Sequence, residues 1–146
     1  MNILISACLL GIRCRYDGAA KYDPRVEKLK KKHHLIPVCS EIYGGLPTPR
    51  DPSERVGDKV VSRAGKDVTE AFQRGAEETL KMAKMFDCQV AILKERSPSC
   101  GHDTIYDGTF SGKMIQGDGV AARMLRESGI RVIGESEIEA FLREEE

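Results

Sequence analysis

The sequence predicts an α/β protein built on a mostly parallel sheet with helices on both faces. Four short apolar runs read as strands: ILISAC (3–8), LIPVC (35–39), QVAILKE (89–95) and IRVIG (130–134). Their hydrophobicity is continuous rather than alternating, as in strands buried on both faces. Helical segments separate the runs, and that order is what a parallel sheet needs. No internal repeat or linker breaks the 146 residues, so the expectation is one domain, 1–146, with one core.

In chain order, the strand at 3–8 runs into a polar, glycine-containing loop over 11–23. PRVEKLKKKHH (24–34) reads as an exposed basic helix with Pro24 at its start. The strand at 35–39 leads into SEIYGGLPTPRDPSE (40–54), whose prolines and glycines predict a loop. KVVSRAGKDV (59–68) suggests a small hairpin turning at Ala64–Gly65. Asp67 and Glu70 have capping-box spacing, and Phe72, Ala76, Leu80, Ala83 and Phe86 recur at helical spacing to about residue 87. A long loop, about 96–117, follows the strand at 89–95. GVAARMLRESG (119–129) predicts a helix ending at Gly129. After the strand at 130–134, SEIEAFLREEE (136–146) predicts a terminal helix with Ser136 and Glu139 as its capping box.

Composition narrows the function. The chain is 40% hydrophobic and 32% charged, and 23 basic side chains cancel 23 acidic ones. No global field favours nucleic acid. Four tyrosines, four phenylalanines and no tryptophan offer few rings for base stacking, so nucleic-acid binding is not expected. No apolar run approaches the roughly 20 residues of a membrane span. MNILISACLLG lacks a charged leader region and reads as a strand, so a cytoplasmic protein is expected. Five cysteines in a reducing compartment are buried thiols, a reactive thiol or metal ligands. Burial is the default for any one of them.

Three cysteines stand at or near the carboxyl ends of the expected strands: Cys8, Cys39 and Cys100. That rim of an open parallel sheet is where ligands bind. Three thiolates gathered there suit a zinc with a further ligand, or an iron–sulfur cube with one iron left open. Three small apolar residues closing strand ends is the competing reading, and spacing alone does not separate them. His102, two residues past Cys100, is the candidate for a Cys₃His zinc site; a solvated loop histidine is the commoner case. Cys14, in a polar loop, is a fourth ligand or a spectator, and Cys88 is expected to be buried and inert.

Glu41 lies two residues past Cys39 and could move protons in the same pocket. Ser97 and Ser99 flank Pro98; they orient a water or substrate, or simply form a turn. His33, His34 and the run KLKKK (28–32) read as the solvated face of the basic helix. Gly112, Gly117 and Gly119 open the helix at 119, a weak candidate for an anion site.

ISACLLGIRCRYDG, PVCSEIYGGLPTPR, LKERSPSCGHDTIYDGTFSGK and GDGVAARML, in this order, cover nearly the whole chain. Together they resemble a bacterial and archaeal family long labelled a domain of unknown function. Some of its members form the N-terminal domain of thiouracil desulfurases, or desulfidases. The resemblance implies a Rossmann-like three-layer fold. It implies a 4Fe–4S cluster held by three cysteines only, here Cys8, Cys39 and Cys100, with one open iron. It also implies non-redox desulfuration of a thiolated pyrimidine-like small molecule, with Glu41 and Ser97 as the matching catalytic positions. Ser40 departs from the family pattern, which has proline before the glutamate. The competing functions are a non-catalytic iron–sulfur or zinc module, a sulfur carrier, and a metal-free domain binding a small anion at the glycine-rich helix start.

Overall fold

Four parallel strands form the central sheet of the computed structural model, which describes residues 1–145. They are β1 (Asn2–Ser6), β2 (His34–Val38), β5 (Val90–Leu93) and β8 (Arg131–Gly134), in the order β2-β1-β5-β8. All three pairings are parallel, with Ile3 opposite Leu35 and Val90, and Ile92 opposite Ile133. Pro37 is tolerated because β2 is an edge strand.

Alternate residues of these strands feed two apolar layers. Ile3, Ile5, Ile92 and Ile133 pack with Val26 and Leu29 of α1 (Val26–Lys30) and with Ile138 and Phe141 of α5 (Ile138–Glu144). On the other face, Leu4, Ala91, Leu93 and Val132 pack with Ala83 of α3 (Thr69–Met85) and with Ala122 and Leu125 of α4 (Val120–Glu127). The three-layer α/β arrangement is as predicted. Cys88 is 5% exposed in the second layer, buried as expected.

Several local expectations change. The basic helix is only the five residues of α1, because β2 already begins at His34. Lys28 and Lys30–Lys32 face solvent as predicted, but His33 does not. Its side chain is 5% exposed, with Nδ1 3.3 Å from the Met1 ammonium and Nε2 2.8 Å from Glu145. The tautomer protonated at Nε2 satisfies both partners, and the clasp ties the two ends of the described chain. The expected loop after Cys39 opens with a one-turn helix, α2 (Ser40–Tyr43).

The predicted turn at Ala64–Gly65 forms, bringing Asp67 antiparallel to Val61 and the Val68 N–H to the Val60 carbonyl. An unpredicted strand joins it: β3 (Ser53–Val56) pairs antiparallel with β4 (Lys59–Ser62) around Gly57–Asp58. Neither capping box forms. Asp67 accepts from the N–H of Thr69 instead of bracketing α3, and Glu137 reaches back to the N–H of Gly134 ahead of α5. The long loop after β5 contains another hairpin, β6 (Thr104–Tyr106) with β7 (Met114–Gln116). Among the described residues no helix is long and apolar enough to cross a membrane.

Candidate functional site

Local folding at the strand ends sets the site. β1 passes straight into a 3₁₀ turn, Ala7–Leu10, which turns Cys8 inward at 7% exposure. β2 ends at Val38, and Cys39 is the extended residue between it and α2. Cys100 lies beyond β5 in a turn held by the start of α4. The N–H groups of Val120, Ala121 and Ala122 donate to Pro98 and Ser99 carbonyls at 2.9–3.1 Å, and that of Gly119 donates to Gly101. Only glycine fits at 119, since a Cβ there would lie 2.5 Å from the Ser99 carbonyl carbon. The glycine-rich helix start is therefore spent on the Cys100 turn. This overturns the anion-site expectation, because the donors an anion would need are already taken.

Cys8, Cys39 and Cys100 line one cavity of about 520 Å³, and Cys14, 4% exposed, joins them. Sequence reading left Cys14 open; the structure makes it the fourth thiol of the pocket. Its contact with Cys39 lowers its pKa, while contact with Cys8 and burial raise it, with a net rise to about 11. The Cys39 thiol is raised well beyond its ordinary range, first by Cys14 and then by burial. Burial pushes Cys100 up to about 11, against hydrogen bonds with Ser99 and Ser6 that lower it. These thiols hold their protons at neutral pH, and metal uptake would release them.

Among the described residues no three His, Cys, Asp or Glu surround a point closely enough to hold a single metal ion. The zinc expectation with His102 is corrected by geometry. His102 turns away, with Nε2 2.7 Å from Glu137 and Nδ1 3.2 Å from Asp103. Thiols set around a cavity, rather than around a point, fit a polynuclear group bound through soft sulfur donors.

The polar half of the pocket forms one hydrogen-bonded chain. Arg50 Nε donates to Glu41 Oε1 at 3.0 Å, and Ser99 Oγ donates to Glu41 Oε2 at 3.0 Å. Ser99 Oγ lies 3.0 Å from Ser97 Oγ and 3.6 Å from Cys100 Sγ. Ser97 Oγ also accepts from the Cys100 N–H at 2.8 Å, so it shapes the turn as well as facing the cavity. The Arg50 side chain is 6% exposed and donates as well to the Cys14 carbonyl at 3.0 Å. Sequence reading missed Arg50. Its only local signal is a position after Pro49 in a proline-rich loop.

Ser40 explains its own departure from the family pattern. It is the first residue of α2, a position suited to proline, and Cys39 before it is extended as a pre-proline residue is. Serine leaves a buried hydroxyl instead, and Thr79 of α3 meets it at 2.6 Å. The two helices cross at backbone contact: a Cβ on Gly75 would lie 1.8 Å from the Ser40 carbonyl oxygen. Glu41 is thus held by a rigid crossing.

The sequence pattern of a family described as 2-thiouracil desulfurase matches residues 3–137. This chain belongs to the 2-thiouracil desulfurase family. A curated relative, the uncharacterized protein YbbK of Bacillus subtilis strain 168, is 44% identical, with 96% of this chain and 99% of the relative aligned. Among solved structures, the [4Fe-4S]-dependent thiouracil desulfidase TudS superposes with a TM-score of 0.90 at 42% identity. The match spans 95% of this chain and 93% of TudS. Family membership and the thiol-lined rim thus rest on independent grounds, sequence similarity for one and side-chain geometry for the other.

Proposed function

We propose that the whole chain, 1–146, acts as a desulfidase. It holds a 4Fe–4S cluster through Cys8, Cys39 and Cys100 and hydrolyses the thiocarbonyl of a thiolated pyrimidine-like molecule such as thiouracil. The single observation that carries this is the junction of thiols and carboxylate. In the Glu41–Ser99–Ser97 chain, Ser99 Oγ lies 3.6 Å from the Cys100 sulfur, inside a cavity sized for a small molecule. Membership of the family and likeness to TudS support the same reading.

When bound, such a cluster supplies a soft Lewis acid for the sulfur of the substrate. The protein's own groups handle water. Ser97 orients a water against the thiocarbonyl carbon, and Ser99 passes its proton to Glu41. Arg50 keeps Glu41 aimed. The carbon–oxygen bond forms, the carbon–sulfur bond breaks, and the two protons of water leave with sulfide. No net electron is transferred. Cys14 lies beside two of the proposed ligands, Cys8 and Cys39.

The test is anaerobic reconstitution followed by turnover of 2-thiouracil. About four irons and four sulfides per chain, with uracil and sulfide formed one to one, is the expected result. Cys100→Ser should lose both the cluster and the turnover. A metal-free protein that still desulfurises thiouracil would sink the reading.

A further inference from the structure

We propose that Phe110 and Arg63 form a plate on which the heterocyclic ring of the substrate stacks. The inference rests on the thiouracil reading and adds a specificity determinant to it. Phe110 and Arg63 both line the cavity of the cysteines. Arg63 brings its guanidinium carbon to 5.6 Å from the centroid of the Phe110 ring. The ring joins none of the three apolar clusters of the fold and is only half-buried.

Its backbone makes the placement more telling. Phe110 has φ +56°, a left-handed conformation that is strained for a bulky residue. Gly108 and Gly112 stand two residues to either side, yet this position carries an aromatic ring. Such outliers persist where the surroundings enforce them. The enforcing group is Glu54, 8% exposed, whose Oε1 accepts from the N–H of Gly108 at 3.0 Å and of Phe110 at 3.1 Å. A buried carboxylate is thus committed to fixing this one loop. The strand bearing Glu54 and the strand ending just before Arg63 form one hairpin, so ring and guanidinium are set by a single support.

A ring beside a guanidinium binds flat heterocycles by their faces. Stacking of a base on an aromatic side chain typically changes affinity on the order of 10-fold or more. Thiouracil is such a heterocycle, whereas thiourea has the thiocarbonyl without the ring.

The experiment uses anaerobic reconstituted protein with 2-thiouracil and thiourea as substrates, and uracil as a ligand that cannot turn over. Phe110→Ala should raise KM for 2-thiouracil roughly 10-fold with kcat within about twofold, and leave thiourea kinetics unchanged. Phe110→Tyr should restore KM. Phe110→Gly should bind as poorly as Phe110→Ala yet melt no lower, because glycine adopts φ +56° freely. Calorimetric Kd for uracil should move with KM. If the wild type turns over 2-thiouracil and Phe110→Ala matches it in KM and Kd, the plate is overturned and the desulfidase reading survives. If no turnover occurs but uracil binding weakens in Phe110→Ala, the desulfidase reading fails and the plate stands. Absence of uracil binding to the wild type overturns the plate outright.

Discussion

The pocket has two walls made in different ways. The sheet-rim wall carries Cys8, Cys39, Cys100 and Glu41 on turns that leave strands of the central sheet directly or abut helices. The hairpin wall carries Arg63 and Phe110 on short antiparallel pairs, one of whose strands, β7, is exposed at all three residues. Rigid turns suit chemistry, which fails when a carboxylate shifts by an ångström. Hairpin loops suit recognition, where contact area matters more than aim. Rim variants should therefore act on cluster content and kcat, and hairpin variants on KM.

The largest effect expected is at the rim. Glu41→Gln keeps the shape but removes the proton acceptor, and kcat should fall about 10²–10⁴-fold with iron content unchanged. Iron analysis alongside steady-state kinetics reads both. A rise in KM without loss of kcat would move Glu41 to the recognition side and break the comparison.

A smaller effect tests why the rim is rigid. Thr79→Val strands the Ser40 hydroxyl at 2% exposure, which should cost about 1–3 kcal/mol of stability. Thr79→Ser should recover most of it, and the Ser40→Pro/Thr79→Val pair should recover it by removing both hydroxyls. Thermal melts of the metal-free protein decide this, and a Thr79→Val protein as stable as the wild type would detach Ser40 from the aiming of Glu41.

The smallest effect is titration of the metal-free rim. Cys14 and Cys100 have pKa values raised to about 11 in the folded chain, above the ordinary thiol value. Between pH 9 and 11 the unfolded chain releases these protons while the folded chain keeps them. Unfolding then gains as pH rises, so the melting temperature should fall across that window. Replacing Cys14 with serine should flatten the fall, and hairpin variants should leave it as it is.

How much of this was legible follows from the same contrast. The buried strands announce themselves as apolar runs, so the sheet and the gathering of Cys8, Cys39 and Cys100 at its rim could be read directly. The strands of the hairpins are three or four residues long and partly exposed, so their pattern blends into polar loop. Arg50 was invisible for a different reason. It reaches Glu41 across a proline-rich loop whose path no local periodicity encodes. The two capping boxes have the right spacing, but other partners win: Asp67 takes the nearer Thr69 N–H, and the Ser136 N–H that Glu139 would need donates to Glu95. The thiouracil assignment itself came from motif resemblance, since thiols at a strand rim are equally consistent with plain burial.

The clasp at His33 has a practical consequence. Met1 and Glu145 meet on one imidazole, beside the amino end of β2, while the cavity opens beyond the carboxyl ends of the same strands. A resin, an electrode surface or a fluorescent carrier attached through either end therefore leaves the pocket mouth pointing away from the support. Joining the two ends and reopening the chain at the Gly57–Asp58 turn would give a rearranged polypeptide with the thiol rim unbroken.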